Sequence, residues 1–451
     1  MFKSILNLTA AAVLTAVACS SSGPENLASS LQRDVTGGTV EGVRDNGILV
    51  FKGIPYAAPP TGDFRWREPQ PVIPWEGVRK CDKFGPISMQ DQQVKGSFYE
   101  VEFYSEGLPE MSEDCLYLNV YAPENAEGLP VAMWIHGGGF GAGYGYEVTM
   151  DGTQWAKSGV ILVTINYRLG MLGFLSHPLL SAEQGGTSGN YGLLDQIAAL
   201  QWIHDNIARF GGDPDNVTIF GQSAGGMSVR DLVTSPVAKP LISKAIIQSA
   251  GGFECGASNL LSDLPAIMVE GNGKEIFDAL GYDTLEKMRA VPATQLRSEL
   301  SDLAKTGKNL ITFPHTGAGA FPKTFDNSVK DGSIADIPYL IGAVEMDGDM
   351  LGGPGIDTFA KMRSEMGGQP VYEYLFKRHL PGEDNPGAFH SSELWYIFGT
   401  LGKSWRPFTA QDYGLSQRML NAWTSFAKTG NPGWDASTAG NLYTEVFDIA
   451  E

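Results

Sequence analysis

The stretch that most constrains this chain is Asn216-Val217-Thr218-Ile219-Phe220-Gly221-Gln222-Ser223-Ala224-Gly225-Gly226. A short β-rich run passes through Gly-x-Ser-x-Gly into small residues of helical character. That strand–turn–helix context gives an otherwise common pattern its chemical meaning. The turn is tight enough that side chains at Gly221 and Gly225 would collide with neighbouring backbone. Glycine removes the Cβ and tolerates strained dihedrals. Ser223 is thereby lifted out at the C-terminal edge of a sheet, with the positive end of the next helix aimed at it. The pattern alone decides little. With 56 glycines among 451 residues, a bare Gly-x-Ser-x-Gly arises by chance in about half of such chains. Partners for the serine must come from elsewhere.

The rest of the chain supplies a sheet for the turn to sit on. Short β-like runs and turns from Leu31 to Phe51 predict an antiparallel start. Residues 91–110 have no clear period and read as a loop, at the surface or lining the substrate. Pro130 to Ile135 and Val160 to Arg168 are continuous apolar runs, the mark of strands buried on both faces. Tyr191 to Phe210 has helical spacing. Lys244 to Ser249, Pro338 to Val344 and Pro370 to Phe376 continue the strands, the last being the final one legible. Residues 256–335 are more helical and read as a cap. A closing helix is expected from about Ser416 to Ala427. Strands alternating with helices imply an α/β fold with a large, mostly parallel central sheet flanked by helices.

Charge and termini narrow the function. A net charge of −19 argues against nucleic acid and anionic membrane surfaces as partners. Lys3 followed by the short apolar stretch Ile5–Ala18 reads as a signal peptide over residues 1–18, too short for a spanning helix. Ala16-Val17-Ala18 before Cys19 resembles a bacterial lipoprotein signal, with Cys19 as the lipidated residue and 19–30 as a polar tether. The expected location is then the periplasm or cell surface, with a lipid anchor at Cys19 the one contact with membrane; ordinary secretion is the alternative. An exported protein can hold disulfides, and Cys81 with Cys115 is the candidate pair. No Cys-x-x-Cys or histidine-rich cluster points to a metal.

A serine hydroxyl needs a base to take its proton. The chain has six histidines. His136 lies in a glycine-rich turn, His177 precedes a proline, His204 and His379 sit in regular runs, and His315 is in the cap. His390 lies in a loop just past a strand, where such folds place catalytic groups. A carboxylate should follow a strand between serine and histidine. Glu345, Asp347 and Asp349 all do; Asp347, followed by Gly348, is the best turn position, and Glu345 is its main rival. His136-Gly137-Gly138-Gly139 can turn backbone N–H groups onto one oxygen, with Gly138, Gly139 and Ala224 as the expected oxyanion donors. No Gly-x-Gly-x-x-Gly or Walker-type lysine accompanies it, which disfavours phosphate binding.

Together these residues resemble the type-B carboxylesterase and cholinesterase family of α/β-hydrolases. The resemblance runs from about residue 35 to 432 through Phe51 to Ala57, Ser112 to Val120, Trp134 to Phe140, Asn190 to Asp195, Gly221 to Gly225, Gly387 to Glu393 and Phe426 to Pro432. It implies an α/β-hydrolase domain over 31–451 with a reduced helical cap over the sheet's C-terminal edge. It implies a cofactor-free serine carboxylesterase acting on small-molecule esters, with Ser223 as nucleophile and His390 as base. An amide, carbamate or lactone hydrolase, or a catalytically silent adhesion-type relative, are the alternatives. It also implies structural ion pairs Arg65–Glu113 and Arg168–Asp195. The chain departs from the family in four places. Asp347 stands where glutamate is usual, and Gln222 replaces the commoner glutamate before the serine. Cys115 lacks its usual partner near Ser88. The segment between Asp347 and His390 is short, implying a more open site than in the cholinesterases.

Overall fold

The apolar runs without polar alternation become the middle of one ten-stranded sheet. The computed structural model describes residues 30–449 apart from 309, 311 and 318. The expected signal peptide, Cys19 and nearly all of the expected tether lie outside the described residues. In chain order the sheet comprises β1 (Val43–Asp45), β2 (Ile48–Pro55), β3 (Tyr117–Pro123), β4 (Leu129–Ile135), β5 (Ile161–Ile165), β6 (Gly212–Gln222), β7 (Lys244–Gln248), β8 (Tyr339–Val344), β9 (Val371–Phe376) and β10 (Thr444–Phe447). Their spatial order is β10-β9-β8-β7-β6-β4-β5-β3-β2-β1. From β4 to β10 neighbours run parallel, while β1 to β3 and the β3–β5 junction are antiparallel.

Alternation along each strand divides the core into two layers. Val131, Met133, Ile135, Ile161, Val163, Ile219, Ile247 and Ile341 belong to one buried cluster. Ala132, Trp134, Leu162, Phe220, Ile246 and Leu340, one step along the same strands, belong to the other. Helices must therefore cover both faces, which is why these strands read as unbroken apolar runs. A third cluster holds Trp66, Leu175, Tyr191, Ile276, Phe277 and Met288. It seats the cap helices Ala266–Leu280, Leu285–Ala290 and Ala293–Lys305. Arg65 ties the cap down: its guanidinium meets Glu113 at 2.6 Å and donates to the Val291 carbonyl at 2.6 Å.

The structure corrects the sequence reading in four places. Residues 91–110 contain a helix, Phe98–Phe103, whose buried Glu102 pairs with buried Arg406 at 2.8 Å. The strand at 371–376 is followed by β10, which pairs parallel to it through Glu373 to Phe376. The closing helix begins at Ala410, where Thr409 and Asp412 form a capping box, a device that satisfies exposed N–H groups of the first turn. Cys81 and Cys115 are free thiols, not a bridged pair. They have different surroundings: Cys81 is buried, with the charges of Arg79 and Asp82 acting on it in opposite senses. Cys115 bonds Ser88 beside Arg168 and Asp195.

Arg168 and Asp195 are joined by two hydrogen bonds from the guanidinium, of 2.7 and 2.8 Å, and a third from the Arg168 backbone N–H at 3.0 Å, with both side chains almost wholly buried. Removing one partner of such a pair strands the other charge out of water. Asp195→Ala is expected to cost about 3–5 kcal/mol of stability, read as a lowered thermal midpoint by circular dichroism.

Candidate active site

β6 runs out at Gln222, and the chain turns through Ser223 into the helix Ala224–Leu232. Ser223 takes φ 57°, ψ −126°, a left-handed conformation that non-glycine residues adopt only when their surroundings enforce it. The enforcing contacts are visible. A Cβ on Gly225 would stand 2.0 Å from the Ile135 carbonyl oxygen, and one on Gly221 would stand 2.4 Å from the Gly225 backbone. The Ser223 N–H donates to Gln248 at the end of β7 (2.9 Å), and its carbonyl accepts from Met227 (2.9 Å). Its side chain is half-buried at the N-terminus of the helix.

The glycine turn leaves β4 beside this elbow. A Cβ on Gly137 would lie 3.1 Å from the Ser223 Cβ, so the loop is packed directly on the elbow. Gly138 has φ +103° and Gly139 φ +61°. The Gly138 carbonyl is turned into the loop, where it accepts from Gly141 (3.1 Å) and Ala142 (2.9 Å). Among the described residues no backbone partner takes the Gly138 and Gly139 N–H groups. His136 serves the loop's structure. It is fully buried, stacks on Tyr167 at 4.4 Å, and burial pushes its pKa down to about 4, so it stays neutral.

The loop after β8 carries the three acidic candidates, and burial separates them. Asp347 is buried while Asp349 is exposed. Glu345 is engaged elsewhere, with His379 at 2.8 Å and Lys377 at 3.2 Å. Asp347 Oδ1 lies 2.7 Å from His390 Nδ1, and its Oδ2 accepts from the Val344 N–H at 3.2 Å. Met346 donates to the Ala388 carbonyl (3.2 Å), tying the two loops together. The Tyr99 hydroxyl donates to the His390 carbonyl at 3.1 Å, so the helix missed in the sequence helps hold the histidine loop. Burial opposes charging of the His390 imidazole, but the Asp347 hydrogen bond and charge, with Glu393 behind, outweigh it and raise the pKa above the usual value.

The Ser223 hydroxyl forms no hydrogen bond to His390 among the described residues. Instead His390 Nε2 lies 3.2 Å from Gln222 Nε2. Such hydrogen bonds often tighten only when substrate is present. Glu393 is a second buried carboxyl that sequence reasoning placed in the motif without a role. Burial, aided by the Asp347 charge, pushes its pKa up to about 7, and its Oε1 accepts from Gln248 at 3.3 Å. Beside the glycine loop lies a mainly apolar cavity of about 220 Å³, lined by Gly141, Met171, Leu172, Leu296 and Leu300 and also by Gln90, Asp91 and Arg297.

A hydroxyl on a strained elbow, an imidazole oriented by a carboxylate and an N–H-presenting loop are the parts of an acyl-transfer site. The model of the carboxylesterase family matches residues 29–354 and 349–443. The chain belongs to the carboxylesterase family. Para-nitrobenzyl esterase of Bacillus subtilis is 34% identical, the match covering 88% of this chain and 90% of that protein. Fumonisin B1 esterase of Sphingopyxis macrogoltabida is also 34% identical, over 89% and 82%. Among solved structures, a thermophilic PNB esterase superposes with a TM-score of 0.83 at 32% identity, covering 93% of this chain and 96% of that one. A Geobacillus stearothermophilus carboxylesterase gives 0.78 at 29% over the same shares. The fold is thus that of the α/β-hydrolases, and this carboxylesterase is a serine hydrolase acting on carboxylic esters.

Replacing Asp347 removes the hydrogen bond and charge that do most to raise the His390 pKa and leaves the burial that lowers it opposed by the smaller influence of Glu393 alone. In Asp347→Asn the His390 pKa is expected to fall below its usual value near 6.5, read by NMR titration of the histidine ring protons.

Proposed function

We propose that Ser223, His390 and Asp347 act as one relay, with the N–H groups of Gly138, Gly139 and Ala224 as the oxyanion hole. The observation that carries this is the 2.7 Å contact between His390 and Asp347 beside a serine held at positive φ. Asp347 accepts from Nδ1–H, which leaves the lone pair of His390 on Nε2, facing the elbow. Ser223 Oγ attacks the ester carbonyl carbon and its proton passes to Nε2. The carbonyl oxygen gains the negative charge, which the loop and helix N–H groups receive. Nε2–H then protonates the departing alcohol as the carbonyl–alkoxy bond breaks, leaving an acyl-serine. A water gives its proton to Nε2 and attacks the acyl carbon. The Oγ–acyl bond breaks, Oγ recovers the proton, and the carboxylic acid leaves. Asp347 reaches the imidazole although it is one methylene shorter than the family's usual glutamate, because it sits on a 3₁₀ turn, Glu345–Asp347, joined to the histidine loop through Met346.

Within this reading the substrate is an ester. The mainly apolar cavity beside Gly141 suits an apolar substituent, as burial of such surface favours binding. Amide, carbamate and lactone hydrolysis would use the same groups, and matched ester and amide substrates separate them. A catalytically silent relative is disfavoured by the presence of both Ser223 and His390. Export with lipidation at Cys19 is supported by Lys3, the apolar run to Ala18 and the small residues before Cys19. If the anchor exists, Cys19→Ser moves the protein from the membrane fraction to the soluble one; an unchanged distribution contradicts it.

Ser223→Ala should lower kcat for p-nitrophenyl acyl esters by on the order of 10⁴–10⁶-fold; retention of full activity would overturn the relay. Because the base must be neutral and its pKa is raised, kcat/KM should climb with pH through an apparent pKa above about 6.5, measured as an acid limb in the pH profile.

A further inference from the structure

The amide of Gln222 occupies a position that the relay described above leaves unexplained. Gln222 is the last residue of β6, next to Ser223, and is buried. Its Nε2 lies 3.2 Å from His390 Nε2. Its Oε1 lies against the glycine loop, where it would stand 3.1 Å from a Cβ placed on Gly137. Because His390 Nδ1 is paired with the Asp347 carboxylate, Nδ1 carries the hydrogen, and Nε2 of the neutral ring presents a lone pair. The amide N–H therefore donates into the lone pair that must also receive the Ser223 proton.

We propose that Gln222 is a positioning residue for the base: in the resting enzyme its amide holds the neutral His390 ring by Nε2, and this contact sets the lower pH limit of ester hydrolysis. The proposal rests on the relay reading. The physical argument is one of polarity. A donor facing Nε2 stabilises the neutral imidazole. Once Nε2 carries a proton, two N–H groups face each other and the contact becomes repulsive. The charged groups that face the ring all push the other way. Asp347 from the loop after β8 and Glu393 from the histidine's own loop both favour the imidazolium. Tyr99 from the helix Phe98–Phe103 is neutral, burial having pushed its pKa up to about 12. Tyr374 from β9 is likewise held neutral by burial, and Gln248 from β7 touches Glu393, not the ring. The Gln222 amide is thus the one described contact at the Nε2 end that opposes protonation. A glutamate there, the commoner residue in the resembling family, would offer the proton an acceptor and act with Asp347 instead of against it.

The test is the pH profile of kcat/KM for Gln222→Glu and Gln222→Met beside wild type, with reactive sites counted by stoichiometric phosphonylation so that misfolded protein does not enter the rate. The Glu variant should shift the acid limb upward by about one unit, roughly a tenfold relative loss well below the limb. The Met variant, which keeps the length but has no donor, should shift it upward by less. A Met limb that coincides with wild type or moves down overturns the proposal, whether or not the Glu variant folds. Ser223→Ala, measured alongside, separates the two failures. If it retains hydrolysis, the relay itself falls. If it is inactive while the Gln222 limbs do not move, the role of Gln222 alone falls.

Discussion

The structure depends on one backbone-to-backbone approach, the packing of Gly225 against the carbonyl of Ile135. A Cβ at Gly225 would stand 2.0 Å from that oxygen, far inside any allowed contact, so only glycine permits the helix Ala224–Leu232 to come this close to β4. Everything chemical follows from that proximity. The helix can turn back directly from β6, which forces Ser223 to φ 57° and leaves it at the helix N-terminus. Ile135 is also the last residue of β4, so the same contact brings the glycine loop of residues 136–139 onto the elbow. Strain at one residue is held by a sheet buried on both faces.

Electrostatics divides the remaining groups by surroundings and not by type. Asp347 and Glu393 are both buried carboxyls within one small region. Asp347 is joined to His390 at 2.7 Å and accepts a backbone N–H. The Glu393 carboxyl forms no ion pair among the described residues, accepts from the neutral amide of Gln248, and burial pushes its pKa to about 7. Two carboxyls in different environments can then take different parts, the general rule by which one site runs acid and base chemistry. His136 and His390 show the same division among imidazoles: burial without a carboxylate lowers the first, and Asp347 raises the second.

Much of the fold was legible because the central strands announce themselves. Ile161–Ile165, Lys244–Gln248 and Tyr339–Val344 are buried at every position, so an apolar run marks each. The elbow and glycine loop were legible because glycine is used there for want of space. What was hidden is held by distant partners. The helix Phe98–Phe103 is six residues long and is fixed by Glu102 meeting Arg406, 304 positions away. β10 is a four-residue edge strand with one buried residue, and its existence is decided by pairing with β9. The expected export signal that permits a Cys81–Cys115 bridge carries no information on where each side chain faces, and the two thiols are free. Among Glu345, Asp347 and Asp349 spacing alone could not choose. The ion pairs of Glu345 with His379 and Lys377 are what separate it from His390.

The central claim is that one hydroxyl, on Ser223, is made nucleophilic by His390. The direct measurement is covalent labelling with a phosphonate ester, followed by mass mapping of the modified peptide in wild type and in His390→Ala. The account predicts a single adduct, on Ser223, formed rapidly in wild type and slowed by orders of magnitude without the imidazole. An adduct on another residue, or labelling of Ser223 at an equal rate without His390, would contradict it.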